Sequence, residues 1–212
     1  MKRNGPVQLL IALSVLLGLM PAAAFSQGSA ALQYTPESTS VAIIPVVNAG
    51  GEKNEGNRTK QTESGDNELI KEFTQHGFRL IDLAEIRKAM ISLKIDLSDE
   101  EQQKRDNLYK IGKAVSADLV VFAVITDTAQ QFHIGVFNTS REGRAKIKLW
   151  LLDAKNETPI IPAITKEGKS GGGFFGGLDV GSKRIIIAVA NGERDALVGF
   201  FKPYPMVKKD KK

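Results

Sequence analysis

The run Leu119–Ile125 (LVVFAVI) constrains the fold of this chain more than any other segment. All of its residues are apolar and four are β-branched, so neither face of the segment carries a polar side chain. A run of this length and composition is typical of a strand that is buried on both faces. We therefore predict a sheet with this strand at its centre and helices packed on the sheet.

Shorter segments predict the rest of the sheet. Residues 145–153 (AKIKLWLLD) alternate apolar and lysine positions, which is typical of one buried and one wetter face. Asn156 and Glu157 indicate a turn that leads into a hairpin partner. Pro45 indicates an edge or a bulge in the first strand. The predicted strands are 41–47, 78–83, 119–125, 131–137, 145–153 and 160–164.

Helical spacing of apolar residues predicts four helices. They cover 66–76, 84–93, 98–115 and 183–201, and the third begins at a capping box formed by Ser98 and Glu101. Residues 184–190 (RIIIAVA) also fit a strand, but the apolar stripe that continues to Phe201 favours a helix with Ser182 as N-cap. Residues 48–65 are polar and contain Gly50, Gly51 and Gly56, so we predict a long loop there.

These elements predict one α/β (α+β) domain over residues 41–203, with a mixed sheet of about five strands and helices packed on it. Residues 27–40 are small and polar and are expected to form a flexible lead-in. Residues 204–212 are expected to form a basic, disordered tail. No repeat at a solenoid or propeller period is present.

The amino terminus has the three parts of a secretory signal peptide, which we place at residues 1–26. Lys2 and Arg3 precede an apolar run of 14 residues, Val7–Met20, and small residues follow that allow cleavage after Ala24 or Ser26. The run is shorter than the roughly 20 apolar residues of a membrane span, although an uncleaved anchor is the alternative. The chain has no cysteine, so a lipid-anchored lipoprotein is not expected, and we predict a periplasmic protein.

The formal charge of +5 does not indicate a nucleic-acid partner. Lys2 and Arg3 contribute two of the five excess charges and residues 208–212 contribute the other three, so the body between them is neutral. Nucleic-acid binders concentrate Lys and Arg on one face, and this body has no basic excess to concentrate. At most, the tail permits a peripheral contact with anionic lipid.

No catalytic, cofactor or metal site is predicted. The absence of cysteine excludes thiol chemistry, and the two histidines, His76 and His133, belong to no known motif. His76 is expected to interact with the carbonyls at a helix end. Residues 163–170 (AITKEGKS) approach a phosphate-binding loop, but no helix begins at the glycines that follow.

A pair of carboxylates that hydrolyses glycans is the alternative function. The candidate carboxylates lie at predicted strand ends and helix starts, where capping explains them equally well: Asp82, Glu85, Asp118, Asp127 and Asp153.

The segment 171–177 (GGGFFGG) within the glycine-rich loop 168–181 is the most unusual part of the chain. Phe174 and Phe175, flanked by Gly173 and Gly176, either fold onto the sheet or form an exposed contact with another subunit, a partner protein or lipid. A transmembrane β-hairpin is less consistent, because glycines fill the positions that alternating apolar residues would need. We list these residues as a candidate interaction loop.

Four segments together resemble a superfamily of bacterial envelope domains: 41–48 (VAIIPVVN), 69–90 (LIKEFTQHGFRLIDLAEIRKAM), 111–125 (IGKAVSADLVVFAVI) and 147–161 (IKLWLLDAKNETPII). The superfamily includes the curli-secretion-channel lipoproteins, the amino-terminal domain of TolB and the lipoproteins that activate peptidoglycan synthases. The resemblance rests on the apolar pattern together with Gly77, Gly112 and Asp118.

This resemblance implies a non-catalytic envelope protein that acts through protein contacts or assembly, with an envelope protein or a second copy as partner. No binding residue carries over, because the shared pattern is structural. Two departures separate this chain from many relatives: it lacks the lipidated cysteine, and it lacks the long membrane hairpins of the pore-forming members.

Overall fold

The central strand predicted at residues 119–125 is the most extensively paired strand of the observed sheet. The computed structural model describes residues 34–134, 139–171 and 182–207. The strands are β1 (Ser40–Ile43), β2 (Val47–Asn48), β3 (Arg79–Leu80), β4 (Leu119–Ile134), β5 (Thr139–Asp153) and β6 (Thr158–Lys169). The helices are α1 (Glu55–Gln75), α2 (Leu83–Leu93), α3 (Arg105–Ala114) and α4 (Ser182–Phe201), and 3-10 turns occupy Pro36–Ser38 and Glu100–Gln102.

The sheet is mixed, and its strand order is β3-β1-β4-β5-β6, with β2 also paired to β4. Strands β1 and β2 run parallel to β4, and β3 runs parallel to β1. The last three strands form an antiparallel meander. The prediction of one α/β domain with a mixed sheet and packed helices is confirmed.

The alternation of side chains along β4 divides the core between the two faces of the sheet. Val121, Ala123 and Ile125 pack with buried residues of α1 and α4. Val120, Phe122 and Val124 belong to a second cluster, which includes buried residues of α2 and α3. The fully apolar run therefore serves two cores, and the molecule has three layers.

Pro45 divides the first predicted strand into two. β1 ends at Ile43, and β2 resumes at Val47 against a later part of β4. This agrees with the expected irregularity at Pro45, because proline cannot donate a hydrogen bond to a neighbouring strand.

The long loop predicted at 48–65 is wrong over most of its length. Helix α1 begins at Glu55, after Asn54, whose side chain accepts a hydrogen bond from the Asn57 backbone N–H. In the first half of α1 the buried residues are Gln61 and Gly65, so this half has no apolar stripe from which a helix could be predicted.

Three further boundaries differ from the predictions. The third helix begins at Arg105 instead of Ser98, because Asp99 caps a short 3-10 turn first. Residues 131–134 of the strand predicted at 131–137 continue β4 and do not form a separate strand, and residues 135–137 lie outside the described residues. The second strand shortens to Arg79–Leu80, because Asp82 accepts from the Ala84 N–H and starts α2.

Helix α4 confirms the helical interpretation of residues 184–190. Its backbone lies directly on β6, where a methyl group added to Gly168 would be 1.9 Å from the Ala188 carbonyl oxygen and 2.4 Å from the Gly192 nitrogen. Gly168 and Lys169, predicted to lie in the glycine-rich loop, belong to β6. Glycine is required at position 168 by this close approach of two backbones.

Several sequence predictions lie outside the described residues: the signal peptide at 1–26, most of the lead-in, the tail from residue 208, and the interaction loop with Gly173, Phe174, Phe175 and Gly176. Within the described ranges, no helix has the length and apolar character needed to cross a membrane.

Candidate functional site

Two of the five candidate carboxylates, Asp118 and Asp153, line one cleft of about 250 Å³ at the start of β4 and the end of β5. Leu119 pairs with Asp153 across these strands, which brings Asp118 beside it. Tyr34 and Asn156 also line the cleft. Topology therefore brings together two carboxylates that are 35 residues apart in the sequence.

Hydrogen bonds inside the domain occupy both carboxylates. The Ser40 backbone N–H and its hydroxyl each donate to Asp118 Oδ2 at 2.8 Å, which ties the start of β1 to the start of β4. Asp153 Oδ1 accepts from the Asn156 backbone N–H at 2.8 Å, and its Oδ2 accepts from the Tyr34 hydroxyl at 2.7 Å and from Asn156 Nδ2.

The electrostatics of Asp153 do not suit a general acid. Burial by itself raises the pKa of this carboxyl, but the hydrogen bonds from Asn156 and Tyr34 outweigh burial and hold the pKa below its ordinary value. A glycosidase acid needs the opposite shift, so that it keeps a proton near neutral pH. Burial, together with the bond to Asp153, raises the pKa of the Tyr34 hydroxyl, which acts as a donor here.

The other predicted carboxylates have ordinary structural roles. Asp82 caps α2, and Glu85 lies in the first turn of that helix. Asp127 is half-exposed and forms an ion pair with Lys146 at 3.3 Å. These residues lie apart from the cleft of Asp118 and Asp153 and add no third carboxylate to it.

His76 is the C-cap of α1, but its ring contacts a different part of the chain. Its ring is buried and stacks on Phe201 with centroids 4.2 Å apart, and its Nδ1 hydrogen-bonds the carbonyl oxygen of Tyr204. This histidine fastens the end of α4 to α1. His133 lies in β4. Over the described ranges, no group of three or more His, Cys, Asp or Glu side chains could hold a metal ion.

Residues 163–169 of the phosphate-loop-like segment form part of β6. A phosphate-binding loop needs backbone N–H groups that converge at a helix N-terminus. The N–H groups of a strand point alternately to its two edges, so this segment has no phosphate cradle.

The described residues on both sides of the candidate interaction loop are held together. Ser170 and Gly143 exchange hydrogen bonds: the Ser170 N–H donates to the Gly143 carbonyl, and the Gly143 N–H donates to the Ser170 hydroxyl oxygen. Arg184, in the first turn of α4, donates to the Gly171 carbonyl. In the sequence, Phe174 and Phe175 fall between Ser170 and Arg184, the two residues that make these contacts.

A surface groove of about 390 Å³ runs between α1 and α4, lined by Lys60, Glu63, Ser64, Asn67, Glu68, Lys71 and Ile186. Glu68 of this groove and Glu72, which follows it on α1, are both paired with cations. Arg194 of α4 hydrogen-bonds Glu68 and lies 3.5 Å from Glu72, and Lys71 lies 3.1 Å from Glu68.

The pKa values of Glu68 and Glu72 shift in opposite directions. Burial raises both, but hydrogen bonds from Arg194 and Lys71 outweigh burial for Glu68 and lower its pKa. Glu72 is also partly desolvated and faces the ionised Glu68, so its pKa stays raised. The groove is therefore a set of compensated charges with no excess of either sign for a charged ligand.

A buried polar pair that the sequence reasoning missed lies between the same two helices. Glu193 and Gln61 each have 0% exposure, and neither Glu193 carboxylate oxygen has a hydrogen-bond partner among the described residues. A signal for this was present in the sequence: Glu193 falls four residues after Val189 and four before Leu197, both on the apolar stripe of α4.

Known proteins resemble this chain in structure but not in sequence. No protein-family model matches the chain, and no curated protein sequence matches it. Similar solved structures include lipoprotein GNA1162 from Neisseria meningitidis, at 14% identity over 72% of this chain and 96% of that one, with a TM-score of 0.47. The LpoB C-terminal domain from Salmonella enterica is 14% identical over 65% and 85% of the two chains, with a TM-score of 0.42.

A third similar structure is the PelC dodecamer from Paraburkholderia phytofirmans, at 12% identity over 78% of this chain and 90% of that one, with a TM-score of 0.37. All three scores fall below 0.5. Likenesses at this level carry no argument about what this chain does.

Proposed function

We propose that this chain is an exported protein of the bacterial cell envelope that works by binding other proteins, without catalysis. The observation that supports the proposal is that hydrogen bonds within the domain engage the carboxylates of Asp118 and Asp153. Topology brings these two carboxylates into one cleft, where Asp118 joins the starts of β1 and β4 and Asp153 holds Tyr34 and the turn after β5.

The amino-terminal segment supports export. Residues 1–26 combine a basic start, an apolar stretch and small residues at the end, which is the composition of a signal peptide. Because no cysteine is present to carry a lipid, the proposed location is the periplasm, with no lipid anchor.

The proposed contact surface is the loop with Phe174 and Phe175, flanked by Gly173 and Gly176. Its partner is an envelope protein or a second copy of this chain. Two large aromatic side chains in a segment rich in glycine are suited to such a contact, because aromatic anchors contribute much of the energy of protein interfaces. The neutral body does not favour nucleic acid, and the lysine-rich tail allows at most peripheral lipid contact.

Replacing Phe174 and Phe175 together by Ser tests this surface. We expect association, measured by analytical ultracentrifugation of the purified protein and by crosslinking in envelope fractions, to weaken at least about tenfold, which corresponds to about 1.4 kcal/mol. The melting temperature should change by less than about 2 °C.

Val198→Ser is the matched control, because it removes an exposed apolar side chain from α4 and should leave association unchanged. A large fall in melting temperature for the Phe174→Ser, Phe175→Ser variant would mean that the two rings pack into the core, and would contradict the proposed surface.

A glycan hydrolase is the second candidate, because Asp118 and Asp153 line the same cleft. Its test is turnover of peptidoglycan fragments and simple glycosides by the purified protein. We expect none above the rate of the Asp153→Asn variant, since the lowered pKa of Asp153 leaves no proton to donate near neutral pH. Turnover that is lost on changing either aspartate would replace the binding proposal by the enzyme.

A further inference from the structure

The carboxyl group of Glu193 lies buried at the contact between α1 and α4, without a hydrogen-bond partner among the described residues. Glu193 has 0% exposure, and both of its carboxylate oxygens lack a hydrogen-bond partner in the described parts of the chain. Removing an ionised carboxylate from water without a partner costs several kcal/mol. An ionised Glu193 would therefore weaken the packing that buries it.

The approach of the two helices at this point is close. A methyl group added to Gly65 of α1 would lie 2.6 Å from Glu193 Oε1 and 3.1 Å from a methyl group of Val46. One turn earlier on α1, Gln61 accepts a hydrogen bond from Asn48 through its Oε1, and its Nε2 is also unpartnered within the described ranges. The surroundings of Glu193 are thus closely packed, and no donor among the described residues hydrogen-bonds its carboxylate.

The charged groups that act on Glu193 are both acidic and both on α1. They are Asp66 and Glu68. Asp66 accepts from the Val46 N–H, and Glu68 accepts from Lys71 and Arg194. The neighbouring residue on α4, Arg194, is directed to Glu68 and Glu72. Burial first, and then these two carboxylates, raise the pKa of Glu193 well above its ordinary value.

We propose that Glu193 is a proton-binding site, and that loss of its proton loosens the packing of α4 on α1. The folded protein holds the proton on Glu193, whereas the unfolded chain releases it above about pH 4.3. Over the pH range between the unfolded and folded pKa values, the native state binds the extra proton, so stability falls as pH rises. This contribution is fully present below the unfolded pKa and is lost as pH rises to the folded pKa.

The consequence for the molecule is a contact between α1 and α4 that loosens as pH rises. Helix α4 follows the candidate interaction loop directly, and Arg184 in its first turn binds the Gly171 carbonyl. Loosening of α4 would therefore release one of the two fixed ends of that loop. The proton site itself does not depend on whether the loop binds a partner.

The test compares the purified wild type with Glu193→Gln, which keeps the shape of the side chain but cannot ionise. From about pH 5 to about pH 9 the melting temperature of the wild type should fall relative to that of E193Q, and the difference should grow steadily with pH. Hydrogen exchange of the α4 amides should speed up with pH in the wild type beyond the intrinsic rate, and not in E193Q.

Asp195→Asn is the matched control, because this exposed carboxyl of the same helix should leave the pH profile of the wild type unchanged. The protonation state of Glu193 can also be measured in the wild type alone, so this measurement does not depend on whether a variant folds. At about pH 7 the wild type should show the infrared carbonyl band of a buried carboxylic acid. Parallel pH profiles for wild type and E193Q, or absence of that band at neutral pH, would overturn the proposal.

Discussion

Asp153 and Glu193 are both buried carboxyl groups, but they differ in their hydrogen bonding and in the direction of their pKa shifts. Asp153 is 3% exposed and accepts three hydrogen bonds, from Asn156 and Tyr34. Glu193 is 0% exposed and accepts none within the described residues. The pKa of Asp153 is accordingly lowered, because donors outweigh burial, and that of Glu193 is raised, because burial and neighbouring carboxylates act together.

Burial by itself therefore does not fix the charge of an acid. A carboxylate with donors stabilises the fold when it is ionised, and one without donors stabilises it when it is protonated. The cleft and the helix contact should therefore lose stability at opposite ends of the pH scale.

The largest effect on stability should come from Gly168→Ala, which disturbs the packing of α4 on β6. The added methyl group would meet the backbone of Ala188 and Gly192, which cannot move away without displacing the helix. We expect a loss of more than about 4 kcal/mol in the free energy of unfolding, measured by urea denaturation.

Gly199→Ala is the control for this change, since nothing lies within 4 Å of its added methyl group. It should stabilise the helix by about 0.5–1 kcal/mol. Equal stability of the Gly168→Ala variant and the wild type would show that α4 does not rest on β6 as described.

The next effect should come from Asp153→Ala in the cleft. The change leaves the Tyr34 hydroxyl and the Asn156 N–H groups without their acceptor, and we expect a loss of about 3 kcal/mol in the free energy of unfolding at pH 7. Asp127→Ala removes an exposed partner of Lys146 and should cost less than about 1 kcal/mol.

The pH dependence of the cleft should be the reverse of that at Glu193. The contribution of Asp153 to stability is present above its pKa in the unfolded chain, about 3.9. It is lost as pH falls through the lower pKa of the folded state. The stability difference between wild type and Asp153→Ala should therefore shrink in acid. A difference that instead grew in acid would contradict the charge assigned to Asp153.

The smallest effect should come from Arg194→Met, at the half-exposed ion pairs beside Glu193. Losing the guanidinium leaves Glu68 and Glu72 with Lys71 as their remaining cation, and we expect a loss of about 1 kcal/mol at pH 7. The pKa of Glu68 is lowered, so this stabilisation exists above the unfolded pKa and is lost as pH falls.

Thermal unfolding of wild type and Arg194→Met at neutral and acid pH measures this effect. The two proteins should converge in acid. Lys113→Met, which removes an exposed ion pair with Glu157, provides the comparison and should change stability by less than Arg194→Met. A Lys113→Met effect equal to or larger than the Arg194→Met effect would mean that the position beside Glu193 has no special role.

Much of the fold could be predicted from local pattern because most elements carry one. The apolar run of β4 predicted the centre of the sheet, and the stripe from Ile186 to Phe201 predicted α4 against the β-branched signal of its first turns. The turn at Asn156 and Glu157 predicted the β5–β6 hairpin, which the register confirms. These signals are local, and period and turn chemistry are sufficient to detect them.

The parts that could not be predicted have no local signal. The first half of α1 buries Gln61 and Gly65, so its packing leaves no apolar period in the sequence. The outer half of β4 is polar and is held by its backbone ladder with β5, which depends on register and not on side-chain type. For the candidate site, the sequence supplied Asp118 and Asp153 as separate capping residues, and it gave no sign that they share a cleft.

The layered arrangement follows from the local pattern of the chain, because periods of 2 and 3.6 residues decide which side chains must leave water. The charge of the buried acids depends instead on contacts between distant parts of the chain. A glutamate on an apolar stripe and an aspartate at a strand end are both ionisable in the unfolded chain. Their different pKa shifts arise when the folded domain brings donors to Asp153 and surrounds Glu193 with packed side chains and other carboxylates.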